Sequence, residues 1–124
     1  MSKQKQVGFT AKALQDIADE RARQVNDEGY TREHDDEHYD GSMAMAAACY
    51  AAPHRIYVKH DYVDGVGFSD PWPQGWRGDK RPHEGNMVRS NASQGEAKRR
   101  DLLVKAAALI VAEIERIDRA EAKR

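Results

Sequence analysis

Cysteine is almost missing from this 124-residue chain. The single Cys49 excludes an internal disulfide and any zinc cluster built on several thiolates. Its setting, AMAAACYAA, makes it a small apolar core residue rather than a nucleophile. An excess of charge of either sign is missing too. With 20 Lys and Arg against 21 Asp and Glu, the net charge of -1 lacks the broad positive field of a sequence-independent nucleic-acid or anionic-membrane binder. No apolar run approaches the roughly 18 residues of a membrane helix. The opening MSKQKQVGFTAK has basic residues but no following apolar stretch with a cleavage site, so a cytoplasmic protein is expected. Common catalytic signatures are missing as well. GVGF, at 65–68, lacks the lysine and the following helix of a phosphate loop, and neither an HExxH nor an EF-hand spacing occurs. No Ser-His-Asp arrangement is suggested by order or context.

What is present is a chain 40% hydrophobic and 33% charged, with Leu, Ile, Val and Ala gathered in blocks, which indicates folding rather than disorder. Its length predicts one domain, 1–124. Three helices can be read. The last spans about 95–120, with Leu102, Leu103, Ala106, Leu109, Ile110, Ile114 and Ile117 at helical spacing and a capping box from Ser93 to Glu96. The second, Met43 to Ala52, is apolar on every side and therefore buried, with Asp40 or Ser42 as cap and Pro53 as stop. The first runs from Thr10 as cap to about Asn26, with Leu14, Ile17, Ala18, Arg21 and Val25 on one face and Gly29 just past its end. That apolar stripe is thin, so either the stem of Arg21 covers part of the core or the face lines a polar pocket.

From Pro53 to Asn91 the composition changes: all four prolines, both tryptophans and most of the glycines lie there. A structureless loop of that length does not suit a compact domain, and HRIYVKHDYVDGVGF predicts a small hairpin turning at Asp64-Gly65. The expected architecture is all-α: a three-helix core with a long irregular loop or small hairpin inserted at 53–92, between helices 2 and 3.

Three constellations could carry chemistry. EGYTREHDDEH, at 28–38, offers His34 and His38 at i,i+4 with Asp35 or Asp36 alongside, a conceivable metal set of His34, Asp36 and His38. Acidic residues leading into a helix also complement its dipole with no metal at all, and this second reading is preferred: no metal and no cofactor is expected. Glu20, Glu28, Glu33, Asp36 and Glu113 could converge as magnesium-holding carboxylates of an all-α nucleotide pyrophosphatase, or could be solvated surface. Between Tyr57 and Arg89, rings and cations interleave, including Trp72, Trp76 and Arg77; this composition suits either an adenine-type nucleotide or an interface.

Taken together, ERARQ (20–24), EGYTREHDDEH (28–38), DPWP (70–73) and RRDLLVKAAALIVAEIERIDR (99–119) resemble a set of small proteins encoded by bacteriophages and prophages. That resemblance spans most of the chain and implies an origin rather than a chemistry. A second resemblance is to the ryanodine-receptor repeat domain, also found in bacterial and phage proteins. There an arginine-bearing helix runs into Glu-Gly-aromatic, an acidic pair follows, and a later acidic-basic stretch opens a helix. Arg21 or Arg23, Glu28-Gly29-Tyr30, Asp35-Asp36, then Glu96, Lys98 and Asp101 follow that order. Tyrosine stands where tryptophan is usual, the proline after the acidic pair is missing, and 41–92 would be largely an insertion.

What that domain implies is adenine-nucleotide-like binding without catalysis, including ligands related to cyclic ADP-ribose. For a phage-encoded stand-alone protein the expectation is an anti-defence sponge that sequesters a host immune nucleotide in the host cytoplasm. Arg21, Arg23 or Arg77 would hold phosphate, Tyr30, Trp72 or Trp76 would stack on the base, and Asp35 or Asp36 would meet ribose hydroxyls or orient the arginines. The alternatives are the magnesium-dependent pyrophosphatase and an inhibitor acting by protein contact. Partners are expected to be a small nucleotide and a second copy of the chain, as homodimer or higher homo-oligomer through the broad apolar surface of the last helix, with no membrane and no nucleic-acid polymer.

Overall fold

The computed structural model describes residues 11–124. Helix α1 spans Ala11–Glu28, α2 Arg32–Glu37, α3 Ser42–Ala51 and α4 Glu96–Ala122. Between α3 and α4 lie two antiparallel ribbons, β1 Val58–Tyr62 with β2 Gly65–Ser69, and β3 His83–Glu84 with β4 Met87–Val88, then a 3-10 turn at Asn91–Gln94. This corrects the all-α expectation. The chain is largely helical but mixed, with four helices and two small sheets among the described residues. A connection this long must satisfy its own backbone N–H and C=O groups, and cross-strand pairing does so.

α2 falls within the acidic segment 28–38, expected from the sequence only to lead into the next helix. It is too short to show periodicity, and its start rests on Thr31, whose hydroxyl accepts the His34 N–H at 3.2 Å. α1 closes as expected, with Gly29 at φ 76 just beyond its end, while Thr10 lies outside the described residues. At α3 the cap residue is Gly41, and Asp40 supports the entry by accepting the Ser42 N–H at 3.1 Å. The expected capping box at α4 is not formed. Ser93 closes the 3-10 turn instead, donating to the Ser90 carbonyl at 2.7 Å, and α4 opens at Glu96 after Gly95 with no side-chain cap. The first hairpin turns one residue early. Tyr62 pairs with Gly65, leaving Val63 and Asp64 as the loop, and since no described non-glycine has positive φ, the unusual backbone falls on Gly65 at φ 147.

α4 is the spine, packed by α1, α2 and α3. The core joins Ala46, Ala47 and Tyr50 of α3 to Leu102, Ala106 and Leu109 of α4, and the alanines let the two helices approach closely. Such small residues leave little apolar bulk, so Tyr30, Trp72 and Trp76 supply it from outside the helix pair. α1 is rotated relative to its expected phase. Leu14 is 65% exposed, whereas Glu20 and Gln24 are buried. Burial of Glu20 is acceptable because it is partnered: Arg23 donates to both of its oxygens at 2.7 and 2.8 Å, and the Gln24 amide nitrogen donates to it at 3.2 Å, while the Gln24 Oε1 is left without a partner among the described residues.

The central segment is fastened by polar contacts. Asn91 donates to the Cys49, Tyr50 and Ala52 carbonyls at 2.7–3.1 Å, closing the carboxyl end of α3 where helical partners run out. Arg81 is buried, forked onto Asp79 and bonded to Asp70 at 3.0 Å, and lies over the Trp72 ring at 5.2 Å. Burial pushes Asp70 upward, but Arg81, the Trp72 N–H and Arg55 outweigh it and hold the carboxyl below its usual range.

Candidate functional site

Trp76 is the centre of a run of rings. Its centroid lies 5.3 Å from Tyr30, 5.6 Å from His34, 5.2 Å from His38 and 6.2 Å from Trp72. Tyr30 stacks on His34 at 4.7 Å and 14°, and His34 lies 4.2 Å from His38. The cause is local. One helical turn separates His34 from His38, so α2 presents both imidazoles on one side. The Trp76 N–H bonds to the Pro73 carbonyl at 3.2 Å, and the Trp76 carbonyl accepts the Trp72 indole N–H at 3.2 Å. This loop geometry carries Trp76 to the rings of α2.

Tyr30, His34, His38 and Trp76, with Glu28, Gly75 and Arg77, line a cleft of about 310 Å³. Arg77 is exposed and makes no ion pair with a described residue, so its guanidinium is free to meet an anion. Burial, reinforced by the Glu28 charge, raises the Tyr30 hydroxyl to about 12, so it stays neutral across the neutral range and keeps its proton for donation to a ligand. His38 and Trp76 also wall an adjoining cleft of about 490 Å³, whose other side carries Glu37, Asp40, Ser42 and Met45.

Of the eight residues expected to hold ligand, Tyr30, Trp76 and Arg77 come together in the cleft; the other five have different duties. Asp35 is fully buried and takes Arg21 at 2.8 Å and the His34 Nδ1 at 3.0 Å. Arg21 also donates to the Tyr30 carbonyl at 3.1 Å, so the Arg21–Asp35 pair fixes the ring platform from behind. Arg23 is held by Glu20 and by Glu28 at 3.2 Å. Asp36 is taken by Arg119 at 2.7 Å, which holds its carboxyl below the usual range. Trp72 packs on Tyr50 at 5.2 Å and anchors the loop to the core.

The alternative metal set does not assemble. Asp36 serves Arg119, and the His38 Nδ1 donates to the His34 carbonyl at 2.6 Å. Among the described residues no group of three or more His, Cys, Asp or Glu is placed to hold a metal ion. Nor do the five carboxylates considered for magnesium gather at one point. Glu20 and Glu28 share Arg23, Asp36 has Arg119, Glu113 has Arg116, and Glu33 is exposed.

Sequence reasoning noticed the i,i+4 spacing of His34 and His38 and weighed a metal there against acidic residues that complement a helix dipole, preferring the latter, and did not anticipate the stacked ring platform. It missed Gly75, Glu37 and Asp40, whose roles depend on how the loop returns to α2, a non-local fact without a sequence signal. No described helix is long and apolar enough to cross a membrane. Comparison with family models, with curated proteins and with solved structures finds no match to this chain, so its chemistry rests on these side chains.

Proposed function

We propose that this protein binds a phosphorylated adenine-type nucleotide and sequesters it without turnover. The observation that carries the proposal is the ring-lined cleft with the unpaired Arg77 among its walls. Its volume falls at the lower end of the roughly 300–1,000 Å³ usual for small-molecule sites. A base stacks on Trp76 or Tyr30, Arg77 holds phosphate, and ribose hydroxyls donate to Glu37 or Asp40 in the adjoining cleft. Glu37 and Asp40 replace Asp35 and Asp36 in this role, since those two are committed to arginines. The carboxylates a magnesium-dependent pyrophosphatase would use are likewise tied to guanidinium groups or lie apart, which favours retention of ligand over cleavage. The resemblance to the ryanodine-receptor repeat supports a cyclic ADP-ribose-type signal as the ligand, and the resemblance to phage proteins supports its sequestration from a host. Self-association through α4 is part of the same proposal, because Ile110, Ile114 and Ile117 are exposed.

The test is to incubate purified protein with a nucleotide mixture, remove free ligand, denature the protein and chromatograph what is released. Intact nucleotide supports sequestration. Cleaved nucleotide replaces it with the pyrophosphatase, and no uptake replaces it with inhibition by protein contact.

A further inference from the structure

The two clefts that meet at His38 and Trp76 hold little positive charge. Among the described residues, Arg77 is the one lysine or arginine in their walls, and it makes no ion pair with any of them. Glu28, the carboxylate beside it in the ring-lined cleft, is balanced by Arg23 at 3.2 Å and Lys80 at 3.6 Å. The adjoining cleft is different. Glu37 and Asp40 are exposed there, and no described lysine or arginine pairs with either.

Helix α3 also begins in that cleft, and the amino end of a helix ordinarily draws phosphate. Here the Asp40 carboxylate accepts the first N–H of α3, that of Ser42, at 3.1 Å, so an anion already stands at this end. A phosphate chain running on from Arg77 therefore meets no second free cation, and faces two carboxylates of its own sign. Sugar hydroxyls meet the same carboxylates favourably, as hydrogen-bond donors to charged acceptors.

We infer that the site selects nucleotides without a free polyphosphate end: it holds a monophosphate, or a diphosphate capped by a second sugar, and Glu37 and Asp40 turn away a terminal di- or triphosphate. This rests on the nucleotide binding proposed above and adds the charge class of the ligand.

Calorimetric titration of the full chain ranks the ligands. It is run at about pH 8, above the ordinary titration range of imidazole, and without magnesium, whose binding to phosphates would hide their charge. AMP binds more tightly than adenosine, the gain coming from Arg77. ADP binds about threefold more weakly than AMP, and ATP more weakly again, through repulsion between like charges in a solvated cleft. Linear ADP-ribose binds more tightly than ADP, because its second ribose removes a terminal charge and brings hydroxyls to Glu37 and Asp40. Glu37→Gln combined with Asp40→Asn keeps the hydrogen-bond acceptors, removes both charges, and narrows the gap between AMP and ATP to within about twofold. Affinity rising from AMP through ADP to ATP overturns the inference and leaves nucleotide binding standing. A double variant that keeps the wild-type gap between AMP and ATP overturns it in the same way. No heat from any of these nucleotides in folded protein overturns the inference together with the reading on which it rests.

Discussion

Helices α1 and α4 pack on each other and treat polarity in opposite ways. α1 buries Glu20 and Gln24 and exposes Leu14, whereas α4 buries leucine and alanine on one side and exposes a line of isoleucines on another. The difference shows that burial follows partnership rather than residue type. The charged groups of α1 go inward because Arg21 and Arg23 meet Asp35, Glu20 and Glu28 at 2.7–3.2 Å, while the α4 isoleucines stay outside because no described element reaches them.

The contrast breaks most severely at Asp35. Asp35→Ala removes the buried carboxylate from Arg21, which keeps only the Tyr30 carbonyl at 3.1 Å and the half-exposed Glu115 at 3.4 Å, and loss of one member of a buried ion pair costs about 3–5 kcal/mol. Denaturant unfolding should record a fall of that size, and Asp35→Asn a smaller one. A change below about 1 kcal/mol would show that water reaches this pair and that α1 packs by other means.

At the cleft, Trp76→Ala should weaken nucleotide binding by about 1–3 kcal/mol, the usual effect of removing one stacking ring. Trp72→Ala should instead lower stability, since Trp72 contacts Tyr50 and Arg81 rather than lining the cleft around Trp76 and Arg77. Equal effects of the two on binding, measured by calorimetry, would erase the distinction between site and anchor.

Alkaline titration sharpens the division between buried and exposed groups. Tyr39, Tyr57 and Tyr62 are exposed, whereas burial raises Tyr30 to about 12 and raises Tyr50 also. Because the folded pKa of Tyr30 exceeds its ordinary value of 10.0, its contribution to stability is complete below about pH 10 and is lost as pH rises toward 12. Absorbance near 295 nm should show Tyr30 and Tyr50 resisting ionisation above pH 10 for as long as the fold holds. Ionisation of Tyr30 and Tyr50 near pH 10 in folded protein would contradict their burial.

The smallest effect on stability is expected at Ile110. Ile110→Lys should change monomer stability by within about 0.5 kcal/mol, as for other surface substitutions, while removing self-association. A larger loss of monomer stability would place Ile110 in the core rather than on the surface.

Much of the helical scaffold is legible from residue spacing. Leu102, Ala106 and Leu109 mark the core face of α4, the apolar run at Met43 marks α3, and Gly29 marks the end of α1. The phase of α1 is not legible, because a periodicity argument ranks Leu14 above Glu20 and cannot see the arginine that solvates the carboxylate. The site is legible in part: Tyr30, Trp76 and Arg77 announce themselves by ring and charge. That Asp36 belongs to Arg119, 83 residues away, has no local trace.

The central claim is that the cleft at Trp76 holds a nucleotide, and calorimetric titration with cyclic and linear ADP-ribose, ADP and ATP tests it most directly. The account predicts saturable heat with at least one of them, one ligand per chain, recovered intact, and weakened by both Trp76→Ala and Arg77→Ala. Silence from all four ligands in protein shown to be folded would contradict it.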